Sequence, residues 1–162
     1  MMEKLKKILR SLFLSMRTFN IDIYNEYKSY FSSDEWKTEI ESLLQESSRF
    51  EFEILYEEKL YDDLFVAVEK TYKKYGGSNY IKEYAAVLMP KYANQLAEMF
   101  VKALEKNIEN LRNRDDYRCF AKDLKFLAKN LTAFEKASEL REKWIVEYKR
   151  KSALCEELRW AF

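Results

Sequence analysis

A chain of 162 residues with only 2 glycines and 1 proline has little with which to turn a sheet. Tight hairpin turns depend on the positive φ that glycine tolerates and the fixed φ that proline brings, so short-looped strands need both. Lys, Glu, Leu and Ala, all strong helix formers, are abundant instead. The sequence therefore predicts an all-α protein. With 48% apolar and 16% aromatic side chains it has the material for a packed core rather than a disordered coil.

The clearest periodicity lies between Pro90 and Lys129. Tyr92, Leu96, Phe100, Ala103, Leu104, Ile108 and Leu111 recur at steps of three and four, the spacing of one buried helical face. After a break at Arg112–Arg114, Tyr117, Phe120, Ala121, Leu124, Leu127, Ala128 and Leu131 repeat the pattern. Two amphipathic helices in tandem need further helices to cover their stripes.

Upstream, Leu5, Ile8, Leu9, Leu12, Phe13 and Met16 form a stripe among Lys4, Lys6, Lys7 and Arg10. A basic amphipathic helix of this kind suits an anionic membrane, but the favoured reading is a core-facing first helix with solvated lysines. Arg10 and Ser11 interrupt the apolar segment, which argues against a signal peptide, and no run reaches the roughly 20 apolar residues of a membrane span. Asn20 or Asp22 then opens an aromatic helix carrying Tyr24, Tyr27, Tyr30 and Phe31, and Ser32 with Glu35 forms a capping box before Trp36, Ile40, Leu43 and Leu44. Phe50 to Ile54 alternate as a strand would, but for five residues only; two helices meeting near Lys59–Tyr61 fit the longer pattern. Gly76-Gly77 is a break, Pro90 suits the start of the next helix, Thr132 and Glu135 read as a second capping box, and Ser152 as the cap of a last short helix. The expectation is one helical domain, 1–162, of antiparallel helical hairpins stacked as a right-handed tetratricopeptide-like, or α-solenoid, array without a strict period.

Four pieces of the chain, SSRFEFEILYEEKLYDDLFVAVEK, the Tyr84–Tyr92 stretch, NRDDYRCFAKDLKFLAK and REKWIVEYKRKSALCEEL, carry a resemblance. Together they make residues 48–162 similar to the helical C-terminal region of bacterial and archaeal SWIM zinc-finger proteins, with residues 1–47 as additional N-terminal helices. The resemblance implies a tetratricopeptide-like helical tail. It does not imply the zinc module, whose cysteines and histidine have no counterpart here, and it brings no catalytic residues.

The absence of histidine removes the usual general base and metal ligand. Two glycines cannot furnish a Walker loop or a dinucleotide fingerprint. The acidic pairs Glu57-Glu58, Asp62-Asp63 and Asp115-Asp116 read as solvated surface, since neighbours in sequence do not face one another on a helix. Cys119 and Cys155 read as small buried or half-buried thiols in a cytoplasmic protein rather than as a disulfide or nucleophiles. No catalytic residue, cofactor or metal is expected.

Charge placement is what remains. Residues 33–69 hold 12 acidic and 3 basic side chains, whereas 70–162 hold 20 basic and 13 acidic. Arg114, Arg118, Lys122, Lys125 and Lys129 fall on one face of the second organising helix, as candidates for binding a partner. The plainer reading is a solvated or internally neutralised face. The expected function is a non-enzymatic interaction or scaffold module for a protein partner. Two alternatives stand beside it: nucleic-acid association through the basic stripe, and a small inhibitor whose acidic 33–69 face occludes a basic enzyme. Phe126 is expected to be buried against a second layer, and Trp160 fits either burial or a partner site.

Overall fold

The structure is a computed structural model describing residues 2–162. Among the described residues it is helical throughout, with no strand: α1 (Met2–Ser15), α2 (Ile21–Ser29), α3 (Ser33–Glu46), α4 (Glu51–Glu57), α5 (Tyr61–Tyr75), α6 (Asn79–Asn107), a single 3₁₀ turn at Ile108–Asn110, α7 (Arg114–Lys129), α8 (Phe134–Glu147) and α9 (Ser152–Arg159). None of these helices is long and apolar enough to cross a membrane. The chain divides into two compact units, the first ending at Leu64 and the second running Phe65–Phe162.

The first unit is built on aromatic rings. Phe13, Tyr24, Tyr27, Trp36 and Phe50 are buried with Leu9, Ile40, Leu43 and Ile54. Ring centroids lie 5.2 Å apart for Phe13–Phe50, 5.4 Å for Tyr24–Trp36 and 5.6 Å for Phe13–Tyr24, tilted or edge-on as the ring quadrupoles prefer. Asn20 caps α2 by accepting from the N–H groups of Asp22 and Ile23, and Ser32 and Glu35 complete the expected capping box. The alternating Phe50–Ile54 stretch is no strand: Phe50 is the N-cap of α4 and the rest is helical, with the consecutive residues Ile54 and Leu55 both buried. Lys59, at φ 57°, turns the chain between α4 and α5.

Helix α1 differs from its expected orientation. Leu9 and Phe13 are buried, but Met2, Leu5, Ile8 and Leu12 are exposed, and Lys6 is buried. The lysine stem covers apolar surface while its ammonium sits 4.3 Å above the Phe31 ring and reaches Glu3 and Glu35. A long side chain with a charged tip has taken the inward place that hydropathy alone gives to leucine.

In the second unit α7 packs against α6, α8 and α9. Leu96, Phe100 and Leu104 of α6 and Phe120, Leu124 and Leu127 of α7 are buried, as their spacing predicts. Trp144 of α8 lies 5.2 Å from Phe120, and Leu154 and Leu158 of α9 close the core. Phe126 is half-buried against Phe100 at 5.3 Å.

Three local expectations are corrected. Pro90 lies inside α6 rather than at the start of a helix; helical dihedrals fail at Tyr92 (φ −117°, ψ 22°), whose ring stacks on Phe65 at 3.9 Å. Proline withholds one N–H and disturbs the helix around it, and a kink within the element accommodates it as well as a new start would. Thr132 and Glu135 form no capping box: Thr132 takes φ 50°, and Ala133 occupies the cap position without a side-chain bond. Here the end of α7 dictates the turn, with Leu131 N–H donating to Phe126 C=O and Ala133 N–H to Leu127 C=O. Ser152 is likewise the first residue of α9, preceded by Lys151 with no side-chain cap.

Candidate functional site

The basic stripe starts from a well-defined helix end. Asn113 accepts from the Asp116 N–H at 2.9 Å, and the Asp116 carboxylate accepts from the N–H groups of Asn113 and Arg112 at 3.2 and 2.9 Å. The Arg112 and Asn113 backbone bonds hold the Asp116 carboxyl below its ordinary range. This fixes where α7 starts; the bonds to α9 are made by the arginines that follow.

The five basic residues do not act alike. Arg114 donates to Glu156 at 2.8 Å and to Glu157 at 3.1 Å. Arg118 pairs with Asp115 at 3.3 Å and Glu157 at 3.4 Å. These two arginines staple α7 to α9 within the unit. Lys122, Lys125 and Lys129, about one, two and three turns beyond Arg118, are exposed, and among the described residues none of the three is held in an ion pair. Only the C-terminal half of the stripe offers uncommitted positive charge.

Beside that half lies an aromatic residue. Trp160, at the end of α9, is 81% exposed, so it belongs to the surface and not the core. With Ala121, Lys122, Lys125, Glu157 and Ala161 it lines a shallow groove of about 210 Å³. Glu157, only 17% exposed and already engaged by both arginines, brings little free negative charge to it. The result is a cationic rim around one rigid, amphipathic ring.

Sequence reasoning missed the polar network of the first unit. Glu58 Oε1 accepts from Tyr24 Oη at 2.7 Å, Lys28 Nζ at 2.9 Å and Trp36 Nε1 at 3.1 Å, joining α2 and α3 to the end of α4. Burial pushes the Glu58 carboxyl up, but hydrogen bonds from Lys28, Tyr24 and Trp36 outweigh it, and the group titrates below its ordinary value. Burial first, and then the bond to Glu58, keeps the Tyr24 phenol neutral far into the alkaline range. Glu39 plays a similar part, accepting from Arg10 at 2.8 Å and Tyr27 at 2.7 Å, while Arg10 also reaches Glu46 at 2.6 Å. Of the Glu57-Glu58 pair read as solvated, Glu57 is exposed and Glu58 is a nearly enclosed acceptor. The only hint in the sequence was the position of Glu58, four residues beyond the inward-facing Ile54.

A second concavity of about 550 Å³ borders this network, with Phe31, Trp36, Ile40 and Leu44 on its apolar side and Lys28 and Glu58 on its polar side. The two oxygens of Glu58 are already taken up by three donors. Cys119 is exposed, contrary to expectation, because it falls on the face of α7 turned from its neighbours. Cys155 is buried, its thiol 3.4 Å from the Tyr148 carbonyl. Among the described residues no three acidic, cysteine or histidine side chains are grouped to hold a metal ion.

A scan against protein-family models and searches of curated proteins and of solved structures each found no match to this chain.

Proposed function

We propose that this chain is a non-catalytic interaction module, and that Lys122, Lys125 and Trp160 form the heart of the surface with which it binds an acidic protein. The observation that carries this reading is the exposed tryptophan next to lysines with no internal partner. Tryptophan is among the residues that carry most of the energy at protein interfaces when a partner desolvates them, and rim charges such as these lysines speed and select the encounter. Lys129 extends the rim along α7. Arg114 and Arg118 have a supporting role, holding α9 and therefore Trp160 in place. The packing of α7 against α6, α8 and α9 is compatible with a tetratricopeptide-like scaffold of antiparallel hairpins, the arrangement that the resemblance to the helical tails of SWIM zinc-finger proteins implies.

One observation favours a second reading. A solvent-exposed indole flanked by lysines is also a platform on which an unpaired base stacks while phosphates meet the ammonium groups. The inhibitor reading has less support, since Glu35, Glu39, Glu46 and Glu58 of the acidic segment are engaged by Lys6, Arg10 and Lys28.

The test compares the wild-type chain with a Lys122→Glu/Lys125→Glu/Trp160→Ala variant in cross-linking and capture from the native host. Proteins held by the wild type, insensitive to nuclease and lost from the variant, support the proposal. Identical proteins on both refute it. Capture only of nucleic acid, with binding to single-stranded oligonucleotide that falls steeply with salt, transfers the site to the second reading.

A further inference from the structure

Helix α1 carries an apolar surface beyond the one its own unit uses. Leu9 and Phe13 face inward, whereas Met2, Leu5, Ile8 and Leu12 are 63, 37, 54 and 45% exposed. Steps of three and four place Leu5, Ile8 and Leu12 within about 60° of one another around the helix, and Met2 is exposed in its first turn. Lys4, exposed, stands next to Ile8 on the outer side of the row, and Lys7, also exposed, lies further round the helix. The other two cations of the helix are spent internally: Lys6 on Glu3 and Glu35, and Arg10 on Glu39 and Glu46. Those bonds fix the rotation of α1, so the apolar row is held outward and does not roll back into the core.

We propose that α1 docks this row on an anionic membrane surface, lying in the plane of the headgroups with Leu5, Ile8 and Leu12 below them and Lys4 and Lys7 among the lipid phosphates. A helix with one apolar flank and a lysine border is the form that binds such interfaces without crossing them, and no helix among the described residues is a membrane span. A second copy of the chain is the weaker occupant on two grounds. Four partly exposed side chains make a patch of a few hundred Å², well below the roughly 800 Å² per partner of a stable interface. A second copy of α1 would also offer Lys4 and Lys7 no carboxylate, since its Glu3 is paired with Lys6, whereas anionic lipid complements them.

The test is co-flotation of the full chain with vesicles, one set of phosphatidylcholine and phosphatidylserine and one of phosphatidylcholine alone, at low and high salt. The expected result is partition onto the anionic vesicles only, weakened by salt. Lys4→Gln/Lys7→Gln should lower the partition coefficient by about 30-fold, from about 1 kcal/mol of attraction per lysine. Ile8→Glu should abolish binding, with Ile8→Ser as the milder variant, and both should keep the wild-type helical signal because Ile8 is half exposed. No partition onto anionic vesicles, or equal partition by Ile8→Glu, overturns the proposal. So does a dimer, seen by sedimentation, that Ile8→Glu dissociates, since the row then belongs to a second copy.

Discussion

Replacing Glu58 with alanine isolates the most concentrated polar interaction in the first unit. The carboxylate side chain is 12% exposed and receives three donors. After Glu58→Ala, Lys28, at 42% exposure, can turn to water, but the Tyr24 hydroxyl and the Trp36 indole N–H remain on residues 1% and 4% exposed. Each stranded buried donor costs about 1–3 kcal/mol, and the desolvation of Glu58 itself is relieved, so a net loss of about 2–4 kcal/mol follows. Glu58→Gln keeps an oxygen where Oε1 receives Tyr24 and Trp36 and loses chiefly the bond to a half-exposed ammonium, for about 1 kcal/mol. Native-state hydrogen exchange, read over peptides of α2 to α4, separates this unit from the other. The alanine variant should exchange about 30- to 900-fold faster at its most protected amides, since about 1.36 kcal/mol is a factor of ten. An alanine variant no faster than Glu51→Ala would refute the reasoning, because Glu58 would then be one more surface carboxylate. Equal effects of Gln and Ala would refute it too, because charge rather than acceptor geometry would be the source.

Leu124→Ala should open a cavity and cost ~2–5 kcal/mol in urea unfolding, while Leu5→Ala, at an exposed site, should stay within about 0.5 kcal/mol. Equal costs would contradict the placement of α7 at the centre of its unit. Gly76 sits at φ +70° with Lys106 Nζ 3.3 Å from where a Cβ would lie. Gly76→Ala should therefore destabilise by about 1 kcal/mol or more, whereas Gly77→Ala, with open space at its Cβ, should change little in the same thermal melts. Glu35 and Glu58 both titrate below their ordinary values, Glu35 chiefly through backbone and hydroxyl bonds from Ser32 and Glu58 through donors that outweigh burial. Their stabilisation is complete above about pH 4.3, the unfolded value, and is lost as pH falls through the lower folded values. A midpoint that drops below that pH in the wild type, and drops less in Glu35→Gln/Glu58→Gln, would bear this out; identical acid slopes would not. At the other end, Tyr24 and Tyr27 are raised by burial and then by their carboxylate acceptors, so their contribution persists below about pH 10 and fades above it.

The sequence by itself determined the class of structure and most of the buried leucines and aromatics. Leu96, Phe100, Leu104, Phe120, Leu124 and Leu127 face inward where their spacing places them, because a 3.6-residue period is a property of the backbone and needs no knowledge of neighbours. Short-range chemistry was legible for the same reason: Ser32 with Glu35 and the turn at Gly76 are closed within a few residues. It failed where two local signals competed, as at Thr132, where satisfying the carbonyls that end α7 prevailed over capping α8.

Tertiary structure alone decided which charges are spent. Arg114 and Arg118 look like Lys122 and Lys125 along the helix, but Glu156 and Glu157, some forty residues away in the chain, neutralise the first two only. The same holds for Lys6 and Glu58, polar residues drawn inward by a ring and by three donors from distant helices. It holds too for Leu5, Ile8 and Leu12, apolar residues left outside because α1 is rotated by its ion pairs. An ion pair depends on two heads meeting within about 4 Å, and helix packing sets that distance, which no periodicity along one strand of sequence encodes.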